Sequence, residues 1–195
     1  MTQIIDVYTN SRLRQLQIKI AKKPYYTYFR VYNRIIEKTN YMAEIKNVEL
    51  RNLNIEDYQQ LKTSMMEAYS NWPGSYWREH HIQTLLNIFP EGQLAVVVDG
   101  KVAGCALSLI VKYELFSDEH TYEEITGNYT FSTHNPKGDV LYGIDVFITP
   151  EYRGLRLARR MYDARKELCE QLNLKAIIFG GRIPNYYKYS NELSP

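Results

Sequence analysis

The sequence predicts an α/β domain whose mixed, mostly antiparallel central sheet is flanked by helices. Three observations carry that expectation. Asp99-Gly100 is a two-residue turn between the β-rich runs Leu94 to Val98 and Lys101 to Val111. A strand, tight turn, helix and strand follow one another from Asp139 to Phe179. Apolar residues recur at helical steps of three and four both before the hairpin and within that later unit.

Val48 to Leu53 reads as a short strand. Asn54 caps the next helix with Asp57 three residues on as its acidic partner, and Ile55, Tyr58, Leu61, Met65 and Tyr69 form one helical face. A loop with bulky aromatics, Asn71 to Trp77, leads to a second helix carrying Ile82, Leu85, Leu86 and Phe89. After the hairpin, Lys112 to Gly138 is longer than an ordinary connection, which in a compact domain often marks function. It holds a short helix at Thr121 to Ile125, closed by Gly127, and the titratable groups His120, Glu123, Glu124 and His134.

The next strand reads from Leu141, Ile144, Val146, Phe147 and Ile148, and Pro150 ends it. Leu157, Met161, Ala164, Leu168 and Leu172 then recur as one face of a helix. Asn173 stops that helix, and Ile177, Ile178 and Phe179 suit a buried strand. Between Arg153 and Ala158 the helix N-terminus offers unpartnered N–H groups and partial positive charge, an anion site for which phosphate is the usual occupant. Arg153, Arg156, Arg159 and Arg160 crowd the same turn and oppose the dipole. A bound polyphosphate resolves that conflict.

Within the apolar strand, Asp145 is the candidate general base, because burial raises a carboxyl pKa. A structural Asp paired with an Arg, or one facing solvent, fits the same position. Tyr142 and Glu124 are weaker choices. Cys105 and Cys169 read as reduced packing residues of a cytoplasmic protein. His80, His81, His120 and His134 lack metal-ligand spacing, so no metal is expected. No apolar run is long enough to span a membrane.

Residues 1–41 differ from the rest. They hold eight Lys or Arg against Asp6 and Glu37, a balance of +6, which leaves 16 basic and 20 acidic residues elsewhere. Interleaved basic and aromatic residues suit nucleic acid or an anionic membrane surface. The preferred reading is a basic, Tyr-rich extension ahead of a domain at 42–195, without nucleic-acid or membrane partners.

Ile148-Thr-Pro-Glu-Tyr-Arg-Gly-Leu-Arg-Leu-Ala158 resembles the coenzyme A signature of the GCN5-related N-acetyltransferase (GNAT) superfamily. That pattern is Arg or Gln, two residues, Gly, one residue, then Gly or Ala. Arg153 and Ala158 match its ends, and Arg156 stands at the central Gly, where an N–H in helical geometry with negative φ still reaches a phosphate. The run from Tyr152 to Leu168 also resembles a narrower group, in which such a domain precedes a carbon–nitrogen (nitrilase-type) hydrolase. The resemblance implies an acyl-CoA N-acyltransferase fold and direct transfer of an acetyl group from acetyl-CoA to a small-molecule or peptide amine. It implies a diphosphate cradle from Arg153, Gly154, Leu155, Arg156, Leu157 and Ala158, and a pantetheine arm held by the backbone of Phe147 and Ile148 and by Asn185. Tyr187 and Tyr189 become candidate acids, and Trp72, Tyr76 and Trp77 candidate acceptor contacts, with the long segment covering the acceptor site. Because 16 residues follow Phe179, the domain is expected to be truncated at its C-terminus. The alternative is a non-catalytic acyl-CoA-binding module regulating a fused hydrolase.

Overall fold

The computed structural model describes residues 45–71, 74, 76–116 and 120–180. Within them, β1 (Val48–Asn52), β2 (Leu94–Val98), β3 (Lys101–Val111), β4 (Val140–Ile148) and β5 (Ala176–Phe179) form one sheet in that order. The first four strands pair antiparallel, and β4 pairs with β5 in parallel. The helices are α1 (Tyr58–Ala68), α2 (Glu79–Ile88), α3 (Tyr122–Thr126) and α4 (Leu157–Gln171). No helix among the described residues is long and apolar enough to cross a membrane.

Local chemistry accounts for the boundaries. Asp99 and Gly100 both have positive φ, 47° and 79°, which matches the twist of the strands that they join. Ahead of α1, a 3-10 turn (Ile55–Asp57) intervenes. The Asp57 carboxylate accepts the Asn54 N–H at 2.9 Å and the Arg51 guanidinium at 2.7 Å. That bonding to Arg51 holds the Asp57 carboxyl below its ordinary range. Helix α3 opens with reciprocal bonds between Thr121 and Glu124 and closes at Gly127, whose φ of 62° is easily reached without a Cβ.

The sheet buries both faces. Leu61 and Met65 of α1, with Ile82 and Leu85 of α2, pack against Leu107, Leu109 and Val111. On the opposite face Cys169 of α4 packs with Ile110 and Leu141, the other set of alternating positions. The buried stripe of α4 is Leu157, Met161, Arg165 and Cys169, whereas Leu172 is 38% exposed. Of the apolar face expected beyond Met161, Leu168 packs half-buried beside Cys169 while Leu172 stays exposed, and Arg165 joins the buried stripe.

The reason lies in β4. Leu107 is opposite Asp145 and Ser108 opposite Gly143, so Ile144 is an extra residue in the ladder. Val140 and Tyr142 face the α1 side, and Gly143 faces α4, where an added Cβ would sit 3.2 Å from Arg165 Nη1. Strict alternation would send Asp145 to the α4 side with Gly143. The bulge reverses the parity, so that Asp145 meets Tyr69 and Trp77 instead. Where the bulge disturbs the ladder, Arg165 Nη2 donates to Leu107 O at 2.7 Å and Asp145 O at 2.9 Å.

Candidate active site

The parallel pairing of β4 with β5 ends at Gly143 and Phe179. From Ile144 to Ile148, β4 keeps β3 on one side and, among the described residues, has no strand on the other. The open edge borders a cleft of about 550 Å³, which continues onto the turn before α4. Phe147 and Ile148 line it from the strand, and Arg153, Gly154, Arg156, Leu157 and Ala158 line it from the turn. Tyr69, Val146, Tyr152 and Tyr162 complete the walls. Leu155 lies in the same turn without lining the cleft.

The turn has three parts. Pro150 starts a 3-10 turn through Tyr152, a position where its missing N–H and fixed φ suit a helical start. Gly154 then adopts φ 97°, and Arg156, the residue preceding α4, is left-handed at φ 59° and ψ 22°. The negative φ on which an arginine at this position was expected to depend is therefore not what the chain adopts. The chain keeps the backbone that glycine favours, with an arginine occupying it at a strain of about 1–2 kcal/mol. The first N–H groups of α4 are left without intrahelical partners by helix geometry and are directed into the turn.

Arg153, Arg156, Arg159 and Arg160 are all exposed here. They are not equivalent. Arg153 Nε donates to Ile148 O at 3.0 Å, and its Nη2 to Ala68 O at 3.4 Å, which ties the end of β4 to the end of α1. Arg159 pairs loosely with Asp163 at 4.0 Å.

Behind the cleft stands Asp145. Its Oδ1 accepts the Tyr69 hydroxyl at 2.5 Å and its Oδ2 accepts Trp77 Nε1 at 3.1 Å. Burial pushes its pKa up, against the two hydrogen bonds, the Val146 N–H and the charge of Arg165, which pull it down. Asp145 is half-buried, and its carboxylate is not paired side chain to side chain with an arginine, since Arg165 reaches its backbone carbonyl. Trp77 is fixed by its neighbours, with ring centroids 5.5 Å from both His81 and Phe131 and 6.2 Å from Tyr129. Tyr122 donates to Ile144 O at 3.0 Å, and burial pushes its pKa up strongly.

Other candidates go elsewhere. Tyr76 lies under Lys62 and Arg78, 4.9 and 4.4 Å from its ring centre, away from the carboxylate network. Glu124 is occupied in the α3 cap, and Glu123 accepts the Tyr129 hydroxyl at 2.6 Å. His134 accepts the Ile110 N–H at 3.2 Å and stacks on Phe89, a structural use. Tyr142 is a core residue, 2% exposed. Both cysteines are buried and free. Trp72, Asn185, Tyr187 and Tyr189 lie outside the described residues. No cluster of His, Cys, Asp and Glu among the described residues could hold a metal. Sequence reading missed Tyr69 and Arg165 as site residues. Tyr69 was assigned to the apolar face of α1, and Arg165 sat outside the predicted stripe of α4.

The described residues thus form a mixed α/β sheet whose strands part beside a cleft that continues onto the turn before α4. The model of the acetyltransferase (GNAT) family matches residues 49–187, and the chain belongs to that family. Among relatives, it is 36% identical over 159 residues to the probable hydrolase YhcX of Bacillus subtilis (strain 168), covering 81% of this chain and 30% of YhcX. It is 32% identical over 165 residues to YkwB, an uncharacterized N-acetyltransferase of the same organism, covering 82% of this chain and 73% of YkwB. The chain therefore spans less than a third of the length of YhcX. Among solved structures, the loading GNATL domain of CurA from Lyngbya majuscula shares the fold, with a TM-score of 0.63 at 21% identity over 74% of this chain and 70% of that one.

Proposed function

We propose that the protein is an N-acyltransferase that binds acetyl-CoA and transfers the acetyl group directly to an amine. The observation that carries the reading is the continuity of one cleft from the open edge of β4 to the left-handed turn at Arg156. Such a cleft can take an extended pantetheine arm along Phe147 and Ile148 and a diphosphate at Gly154 to Ala158, held by helix-terminal N–H groups. Arg156, Arg159 and Arg160 add positive charge around it. Asp145, with its pKa raised by burial, serves as the proton acceptor for the amine. The resemblance assigns protonation of the thiolate to Tyr187 or Tyr189 and a pantetheine contact to Asn185. The donor is held and the amine oriented, so no nucleophilic side chain is needed. The resemblance implies a longer protein in which this domain acts beside a carbon–nitrogen hydrolase, and the match to 30% of the probable hydrolase YhcX supports that reading.

The likeness to YhcX also favours a second reading, an acyl-CoA-binding module without turnover. Two measurements decide. Calorimetry of the full chain with acetyl-CoA should show binding that weakens as salt is raised, because the cations around the cleft are exposed. Thiol release should then depend on a primary amine drawn from polyamines, amino acids and peptides. Absence of binding by folded protein removes both readings, and binding without amine-dependent release leaves only the second.

A further inference from the structure

We infer that Tyr69 is a catalytic residue, carrying the acceptor's proton from the donor cleft to Asp145. The inference rests on the N-acyltransferase reading and deepens it. Asp145 itself is not among the residues that line the cleft, and Tyr69 is. The Tyr69 hydroxyl donates to Asp145 Oδ1 at 2.5 Å, so the phenol stands between the cleft and the carboxylate. The tyrosine is also held in place. It is the residue just past α1, with its N–H bonded to Met65 O at 2.9 Å, and its ring meets Phe147 edge-on at 5.7 Å. Phe147 lies on the β4 edge, where the acyl end of a donor would run. Trp77 occupies the other carboxylate oxygen and keeps Oδ1 aimed at Tyr69.

The proton inventory closes. As the amine nitrogen bonds to the thioester carbon, its proton passes to the Tyr69 oxygen while the Tyr69 proton passes to Asp145. The C–S bond breaks with its electron pair on sulfur, and the thiolate takes a proton from the site's acid or from water. Asp145 returns its proton to solvent through Tyr69 once the amide has left. The groups acting on Asp145 are Tyr69 from α1, Trp77 from the loop before α2, Arg165 from α4, Tyr122 from α3 and Cys105 from β3. Tyr69 and Trp77 stabilise the charged carboxylate, so removing the phenol oxygen raises the Asp145 pKa further.

The test is steady-state kinetics of acetyl-CoA with the best amine of the panel, for the full-length wild type, Tyr69→Phe, Asp145→Asn and the double variant. Each single variant should lower kcat about 100-fold, within the range for a lost proton-transfer group, and the double variant should fall no further. KM for acetyl-CoA should stay unchanged, and circular dichroism with calorimetric donor binding shows that each variant is folded. The acid limb of the kcat profile, which reports an ionised Asp145, should move to higher pH in Tyr69→Phe and vanish in Asp145→Asn. If Tyr69→Phe retains full kcat while Asp145→Asn loses it, the carboxylate acts directly and the relay is wrong. Multiplicative losses in the double variant also overturn the relay. A wild type that binds acetyl-CoA and turns over no amine refutes the N-acyltransferase reading itself, a different outcome from turnover that ignores Tyr69.

Discussion

At the start of α4, Arg153, Arg156, Arg159 and Arg160 stand exposed around the cleft, while farther along the same helix Arg165 is 1% exposed beneath β3 and β4. The first group is solvated, so its charge costs little and remains available to a polyanion. Arg165 has lost its water. Burial pushes its pKa down, its Nε has no hydrogen-bond partner, and no ion pair joins it among the described residues. What it gains is two carbonyls at the bulge, those of Leu107 and Asp145. The exposed arginines place charge beside the cleft, whereas the buried one serves the backbone that aims Asp145. Residue type alone does not assign the role of a cation. The backbone groups within its reach do.

The largest expected effect breaks the buried half of this contrast. Arg165→Met keeps much of the side-chain volume and removes both donors. Each carbonyl left unsatisfied in the interior costs on the order of 1–3 kcal/mol, and relief from burying a charge offsets part of that. We expect a net loss of about 3 kcal/mol in denaturant unfolding. Arg165→Lys should recover only part of it, since both bonds come from the single Nη2 and the shorter lysine stem does not bring its ammonium to that point. Unchanged stability in Arg165→Met would show that the bulge satisfies its own carbonyls.

A smaller effect sharpens the exposed half. At φ 59°, Arg156→Gly relieves left-handed strain of about 1–2 kcal/mol, while the greater freedom of the unfolded glycine chain returns about 0.5–1. The variant should be as stable as wild type or up to about 1.5 kcal/mol more so. Arg156→Ala keeps the strain and removes the charge. Both should bind acetyl-CoA more weakly by a few-fold at low salt and approach wild type at high salt. Thermal unfolding and calorimetry separate the two contributions. If Arg156→Gly is the less stable variant, the arginine side chain makes a stabilising contact that outweighs its backbone strain.

Much of the fold was legible because local rules and the tertiary structure agree. The Asp99-Gly100 turn, the short helix near Thr121 with its Gly127 stop, and the strand–turn–helix–strand unit all occur near their expected positions. The turn that lines the cleft was legible as a unit because its residues are contiguous in sequence. The bulge at Ile144 was not. No residue type announces an extra residue in a ladder, and without it the side to which Asp145 points comes out reversed. Arg165 was hidden in turn, because its burial is a consequence of that bulge. Tyr69 lies 76 positions from Asp145, and at the end of an apolar face it reads as one more core residue.

The smallest effect concerns the end of β4 opposite the cleft. There Asp139 accepts the Tyr113 N–H at 3.0 Å and Lys175 Nζ at 3.0 Å, with Lys112 Nζ at 3.6 Å. These partners, the Tyr113 N–H first, lower its pKa to about 2 from an ordinary 3.8. Lys175 N–H also donates to Asp139 O at 2.8 Å, so the residue fastens the approach to β5 where β4 and β5 are still paired. A depressed folded pKa means that the contribution to stability is fully present above about pH 4 and is lost as pH falls toward 2. Asp139→Asn should therefore melt slightly below wild type at neutral pH, and the two melting curves should converge as the pH approaches 2. Lys175 is exposed and Lys112 only half-buried, so added salt should also narrow the gap at neutral pH. A constant gap across that range would mean that ionisation of the Asp139 side chain is not coupled to folding. Unlike Arg165, it would then be a charged residue whose charge the fold does not use.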